Sequence, residues 1–196
     1  MKKLLITGFD PFGGESVNPS WEAVKRLPDV IGDFALTKLE IPTKFSLAAQ
    51  ETLRVAEQLH PDVILSIGQA GGRDSITPEV VALNLREASI ADNAGVLAQN
   101  EPVLEGAPAA YFATAPVRKM VAAVKDAGIP CKLSYSAGAF VCNDTLYTLL
   151  HRFEGTSTQV GFVHVPFLPE QAKEGVPSLP LEKIVEALTV AIEAMA

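Results

Sequence analysis

AQETLRVAEQLHPDVILSI, Ala49 to Ile67, sets the architecture of the chain. Ala49, Leu53, Ala56 and Leu59 recur at helical spacing, which places one apolar face on an amphipathic helix. That period stops at His60-Pro61, since proline and the residue before it both disfavour further helix. Val63 to Ile67 then reads as a compact apolar run without alternation, as a strand buried on both faces does. A helix followed at once by a doubly buried strand is the repeating unit of an α/β fold.

On either side of this unit the alternation continues. Lys3 to Thr7, Ala35 to Ile41, Val80 to Leu85, Cys131 to Ser136 and Val160 to Val165 are further strand-like runs. Val117, Met120, Val121 and Val124 mark a second helix. Pro180, followed by the stripe Leu181, Ile184, Val185, Leu188, Ala191 and Ile192, marks a last one that packs on the core. The expected fold is a single α/β domain over residues 1–196: a three-layer sandwich with a mostly parallel, twisted sheet and helices on both faces. The strand from Val80 is reached without an intervening helix and is expected to run antiparallel. Four irregular segments interrupt the scaffold: Gly8 to Pro19, Gly68 to Pro78, Arg86 to Pro108 and Pro166 to Pro177. Ligands of open α/β sheets bind beyond the carboxyl ends of the parallel strands, so these loops are where a site belongs.

Composition narrows the function. The chain has 196 residues, 48% hydrophobic and 20% charged, enough for one well-buried core. A net charge of −7 offers no basic surface for a phosphate backbone, so no nucleic-acid partner is expected. The apolar run Leu4 to Thr7 breaks at Gly8 and a Phe-Asp-Pro turn, too short for a secretory h-region. No stretch is long enough to span a bilayer, so no membrane association is expected and the location is read as cytoplasmic. Two cysteines, Cys131 and Cys142, make neither a disulfide framework nor a metal motif.

Cys142 follows a strand and a small-residue turn, Ser136-Ala137-Gly138-Ala139, and opens a helix running to about Arg152. Free amides at a helix start stabilise a thiolate, lowering a pKa that is about 8.5 in an unperturbed cysteine, and could also hold an oxyanion. The alternative is a buried small hydrophobe, which is the reading for Cys131 inside its apolar run. Of the three histidines, His60 sits at a helix end and His151 lies about two turns along the helix from Cys142, too far to touch the thiol. His164 ends the run Val160 to Val163 at the lip of the sheet, where a base belongs; a core histidine bonded to a carbonyl is the competing reading. Glu79, in Thr77-Pro78-Glu79-Val80-Val81-Ala82, is an acid entering apolar sequence, suited to orient an imidazole, or else an ordinary charge at a strand edge. Gly8-Phe9-Asp10-Pro11-Phe12-Gly13-Gly14 lacks the spacing of a nucleotide loop, and its two aromatics suit an apolar ring better. Asn143-Asp144-Thr145 has the form of a glycosylation acceptor and is set aside for a cytosolic helix.

Together these segments resemble the pyroglutamyl peptidase I family, the pyrrolidone-carboxylate peptidases, over nearly the whole chain. The resemblance rests on Thr7 to Gly14 with Asn18-Pro19-Ser20, on Ile41-Pro42-Thr43, and on Gly68-Gln69-Ala70-Gly71-Gly72-Arg73 leading to Ile76-Thr77-Pro78-Glu79. It continues in Gly106 to Phe112, in the segment around Cys142, and in Gly161 to Pro166 with Pro169-Glu170-Gln171. It implies a cysteine peptidase that removes an N-terminal pyroglutamyl residue from small peptides through Cys142, His164 and Glu79. It implies a lactam pocket of Phe9, Phe12, Thr43, Phe140 and Val141, with the backbone of Gln69 pairing with the lactam amide. No metal or organic cofactor is implied, and self-association as a dimer or tetramer is; the apolar part of the loop around Val96-Leu97-Ala98 could serve a subunit contact. Two positions depart from the family pattern: Val80 stands where a basic residue is usual, and Ser89 where an arginine is. Arg73 or Arg86 could supply the missing cation. Val80 and Ser89 motivate a competing reading, a protein that keeps the lactam pocket and binds pyroglutamyl peptides without turning them over.

Overall fold

The computed structural model describes residues 1–196. A six-stranded sheet, with strands β1 (Lys2–Phe9), β2 (Val30–Ile31), β3 (Phe34–Ile41), β4 (Val63–Gln69), β5 (Thr77–Pro78) and β8 (Gln159–Val165), is ordered β2-β3-β1-β4-β8-β5. The four central strands are parallel, and the short edge strands β2 and β5 pair antiparallel with β3 and β8. Helices α1 (Pro19–Arg26), α3 (Val117–Asp126) and α5 (Leu181–Glu193) pack on one face, α2 (Leu47–Leu59) and α4 (Val141–Arg152) on the other. This is the expected three-layer α/β sandwich.

Side-chain alternation assigns each strand residue to a face. Leu4 and Ile6, Val63, Leu65 and Ile67, and Val163 and Val165 join the core under α1, α3 and α5. Leu5, Ile64, Val160 and Phe162 join the core under α2 and α4. His164 has the parity of Phe162, and their rings lie 4.8 Å apart, so the imidazole emerges on the side of α4. The helix in the opening segment ends as its sequence requires: His60 takes the left-handed conformation at φ 51° and returns its amide to the Ala56 carbonyl at 2.8 Å, just before Pro61.

Two expected strands differ. The run Val80 to Leu85 leaves the main sheet: its residues Val81–Leu83 form β6, which pairs antiparallel with β7 (Ala110–Phe112) in a separate ribbon. The antiparallel edge of the main sheet is one step earlier, at β5. The run Cys131 to Ser136 lies parallel to Ile76–Val80 yet forms only isolated bridges, Ile76 with Cys131 and Glu79 with Ser134. Its ladder holds at Ile76 N to Pro130 O, Lys132 N to Ile76 O, Ser134 N to Pro78 O and Val80 N to Ser134 O. The rung between is missing because Pro78 has no N–H to give. β2 was not foreshadowed in the sequence; it is two residues closed by a turn with Gly32 at φ 52°.

Candidate active site

The loops after β1, β3, β4 and β8 meet the start of α4 at the carboxyl edge of the sheet. Helix α4 begins at Val141 with Phe140 as its N-cap and no side chain capping it. Its first intrahelical amide bond is Asp144 N to Phe140 O, so the amides of Val141, Cys142 and Asn143 have no acceptor within the protein. Beneath Cys142 lies Gly68, paired in register with His164 across β4 and β8. A Cβ at Gly68 would come within 2.9 Å of Cys142 Sγ and 2.7 Å of the Phe162 ring. Glycine is therefore what lets the sulfur sit down on the sheet beside the histidine strand.

Behind His164 stands Glu79. Its amide donates to Phe162 O at 2.9 Å, which turns the side chain in behind β8. Glu79 Oε1 lies 2.7 Å from His164 Nδ1 and 2.7 Å from Arg73 Nη1, while Oε2 has no partner within the protein. Glu79 and His164 are buried, at 0% and 3% exposure. Arg73 also donates to the Thr77 hydroxyl and to Ser136 O, the latter at 3.0 Å.

Burial raises the Glu79 carboxyl, but the His164 bond and charge, with Arg73, outweigh it and hold the group below its ordinary range. Burial lowers His164 below its ordinary value despite the carboxylate beside it, and Arg73 lowers it further. The Cys142 thiol is pushed up to about 12, first by burial and then by the Glu79 charge, with Arg73 and its own amide pulling the other way. This corrects the expectation of a lowered thiol: the amides at the helix start are present, but burial and the Glu79 charge exceed their effect. Cys142 is only partly buried as a residue and lines a cavity. At neutral pH the pair rests as thiol and neutral imidazole.

That cavity holds about 190 Å³. Phe9, Phe12, Thr43, Gln69 and Phe140 line it together with Cys142 and His164. Phe12 and Phe140 lean together at 6.0 Å between centroids, and Phe45 meets Phe140 edge-on at 5.3 Å. The chain turns at Gly13 and Gly14, both at positive φ, and α1 starts only at Pro19, so the loop does not run straight from strand into helix as a nucleotide loop does. β1 pairs with β4 only as far as Ile67, which leaves the Gln69 backbone without a strand neighbour on that edge. Val141 stands apart: its side chain is wholly buried in the core, and only its amide lies at the helix start. Arg73, Asn18 and Gly138 also line the cavity. Of the two arginines considered, Arg73 joins the site, whereas Arg86 is committed to Asp144 and Ser46. The one signal for Arg73 in the sequence is that it is the sole cation in the loop Gly68 to Pro78.

No group of three or more metal-ligating side chains comes together in the molecule, and no helix is long and apolar enough to cross a membrane.

The profile of the pyroglutamyl peptidase family matches residues 2–196. The chain is 49% identical over 197 residues to a pyrrolidone-carboxylate peptidase of Levilactobacillus brevis, covering 98% of this chain and 97% of that protein. It is 47% identical over 194 residues to one from Thermococcus onnurineus, covering 97% of each. Its fold is similar to the crystal structure of pyroglutamyl peptidase I from Bacillus amyloliquefaciens, with a TM-score of 0.96, 44% identity, and coverage of 100% of this chain and 97% of the other. Pyrrolidone carboxyl peptidase from Thermococcus litoralis superposes with a TM-score of 0.94 at 37% identity, covering 100% and 93%. Profile, relatives and solved structures agree along the whole length, and the chain belongs to the pyroglutamyl peptidase family.

Proposed function

We propose that this protein hydrolyses the amide bond after an N-terminal pyroglutamyl residue, with Cys142 as nucleophile, His164 as general base and acid, and Glu79 orienting the histidine. The observation that carries the reading is the buried Glu79–His164 contact at 2.7 Å opening onto a 190 Å³ cavity that Cys142 lines.

The pyroglutamyl lactam is small, neutral and flat. Phe9, Phe12 and Phe140 suit its faces, and the open edge of Gln69 suits its amide, which proline lacks a carbonyl to imitate. Thiol and imidazole both rest uncharged, so the attack couples two movements. The sulfur adds to the scissile carbonyl as its proton passes to His164 Nε2. Glu79 accepts from Nδ1–H, which fixes the tautomer, and its retained negative charge offsets the imidazolium that forms. The free amides at the start of α4 receive the developing oxyanion. His164 then returns the proton to the leaving amine, and the C–N bond breaks to leave a thioester. Water, deprotonated by the same imidazole, releases pyroglutamate and restores the thiol. Arg73 is a positioning residue that holds Glu79 ionised and in place.

A reduced thiol suits a cytoplasmic location. Self-association is part of the proposal: Val96 and Leu97 are about half exposed, although Ala98 is buried. Sedimentation velocity tests it.

The direct test is hydrolysis of a chromogenic pyroglutamyl amide under reducing conditions, with a prolyl amide as control. The parent should cleave only the pyroglutamyl compound, and Cys142→Ser should lose roughly a thousandfold or more. A folded parent that binds a pyroglutamyl peptide but leaves it intact would replace this reading with the binding-only one.

A further inference from the structure

We propose that the cleft beside the lactam cavity receives the residue following pyroglutamate, and that Glu15 and Glu87 make it select a basic side chain there. The inference rests on the peptidase reading above. Pyroglutamate has no preceding residue, so every other atom of a substrate must leave the cavity on the leaving-group side. A cleft of about 600 Å³ adjoins the cavity and shares Phe12, Gln69 and Phe140 with it.

The charged residues of its wall are Glu15 and Glu87, with no cation among the lining. Each is held near one of the shared residues, Glu87 through the neighbour of Phe140 and Glu15 through Gln171. The Glu87 amide donates to Ala139 O at 2.9 Å, next to Phe140. Glu15 Oε2 accepts from Gln171 Nε2 at 3.4 Å, and the same amide donates to Gln69 Oε1 at 3.1 Å. Between them lie apolar surfaces. Ile90 is about half exposed, and Phe167 is seated so closely on Gly71 that a Cβ there would come within 2.2 Å of its ring. A side chain with an aliphatic stem and a cationic head, lysine or arginine, matches this surface: stem along the apolar wall, head toward the carboxylates. An acidic side chain meets two like charges and no counter-charge.

Both carboxylates belong to exposed residues, so the preference is modest and sensitive to salt. The test compares kcat/KM for pyroglutamyl-Arg, pyroglutamyl-Ala and pyroglutamyl-Glu amides, with a pyroglutamyl arylamide that has no following residue as reference. For the parent we expect Arg over Ala over Glu, by about twofold to fivefold per step at low salt. The Arg-to-Glu ratio should shrink toward one in Glu15→Gln combined with Glu87→Gln, and in about 1 M salt. That ratio is insensitive to any general loss of activity in the variant. Equal rates for Arg and Glu, or a ratio that survives the double substitution, would overturn the inference while leaving the peptidase reading intact. Failure to cleave any of these compounds, the arylamide included, would sink both.

Discussion

Oε1 of Glu79 accepts from two donors at once, His164 Nδ1 and Arg73 Nη1, each at 2.7 Å. Nothing else in the site decides so much with one atom. The imidazole contact fixes which nitrogen faces the cavity. The His164 contact does most to keep the carboxylate charged at 0% exposure; the guanidinium adds to it and, through its own charge, keeps His164 from becoming more basic. Arg73→Gln removes a charge-assisted bond worth about 1.5–3 kcal/mol, which predicts a loss of about tenfold to a hundredfold in kcat/KM. It also lifts a positive charge off His164, so the folded His164 pKa rises and the acid limb of the kcat/KM profile moves to higher pH. Arg73→Lys keeps the charge and should hold the limb near its parent position. A fall in rate with an unmoved limb in both variants would reduce Arg73 to a packing role. From the sequence, Glu79 and His164 were legible as candidates because an acid and a histidine at the ends of apolar runs are unusual. Arg73 was legible only as one of two candidate cations, since a loop arginine gives no periodic signal and its partner depends on how β5 lies against β8.

At the scale of elements, the start of α4 is held from three directions. Asn143 Oδ1 accepts from Leu83 N, and its Nδ2 donates to Leu83 O and Leu85 O, all between 2.9 and 3.0 Å, so this buried side chain clips the chain after β6 to the helix. Asp144 binds Arg86 Nε at 2.6 Å and Ser46 N at 2.8 Å, drawing in the segment before α2. Below, Gly68 of β4 admits the Cys142 sulfur. Gly68→Ala should therefore force Phe162 and Cys142 aside. The fold should survive at a cost of about 1–3 kcal/mol, read as a lower urea midpoint, while activity falls by more than the loss of folded protein explains. Full activity in Gly68→Ala would show that the sulfur does not need its seat on the sheet. The absence of a strand at Cys131 to Ser136 is also an element-scale result. The residues have strand character, but one missing N–H at Pro78 breaks the ladder into isolated bridges.

For the molecule as a whole, the buried titratable groups set a window of stability. The folded pKa values of His164 and Glu79 lie below their ordinary values, so the unfolded chain takes up those protons first. Their contribution is complete above the ordinary histidine value of 6.5 and is lost as pH falls, first through His164 and then through Glu79. Asp144, raised by burial, opposes this at the lowest pH. Cys131 and Cys142 are raised to about 11 and about 12, so their contribution is complete below the ordinary thiol value of 9.0 and is lost above it. Melting temperature should form a plateau between those two ordinary values and decline on both sides; a steady rise from neutral to strongly alkaline pH would contradict the burial of the thiols. The amino-acid sequence by itself determined the sandwich, the four central strands and helices α2 to α5, because periodicity, prolines and apolar runs act over a few neighbouring residues. Tertiary structure alone decided the departure of β6 into a ribbon and the pairing of Arg73 with Glu79. It also decided the neutral resting thiol: a helix start is a local feature that lowers a thiol pKa, while the burial that overrides it arises where folding seats the sulfur over Gly68, a residue distant in the chain.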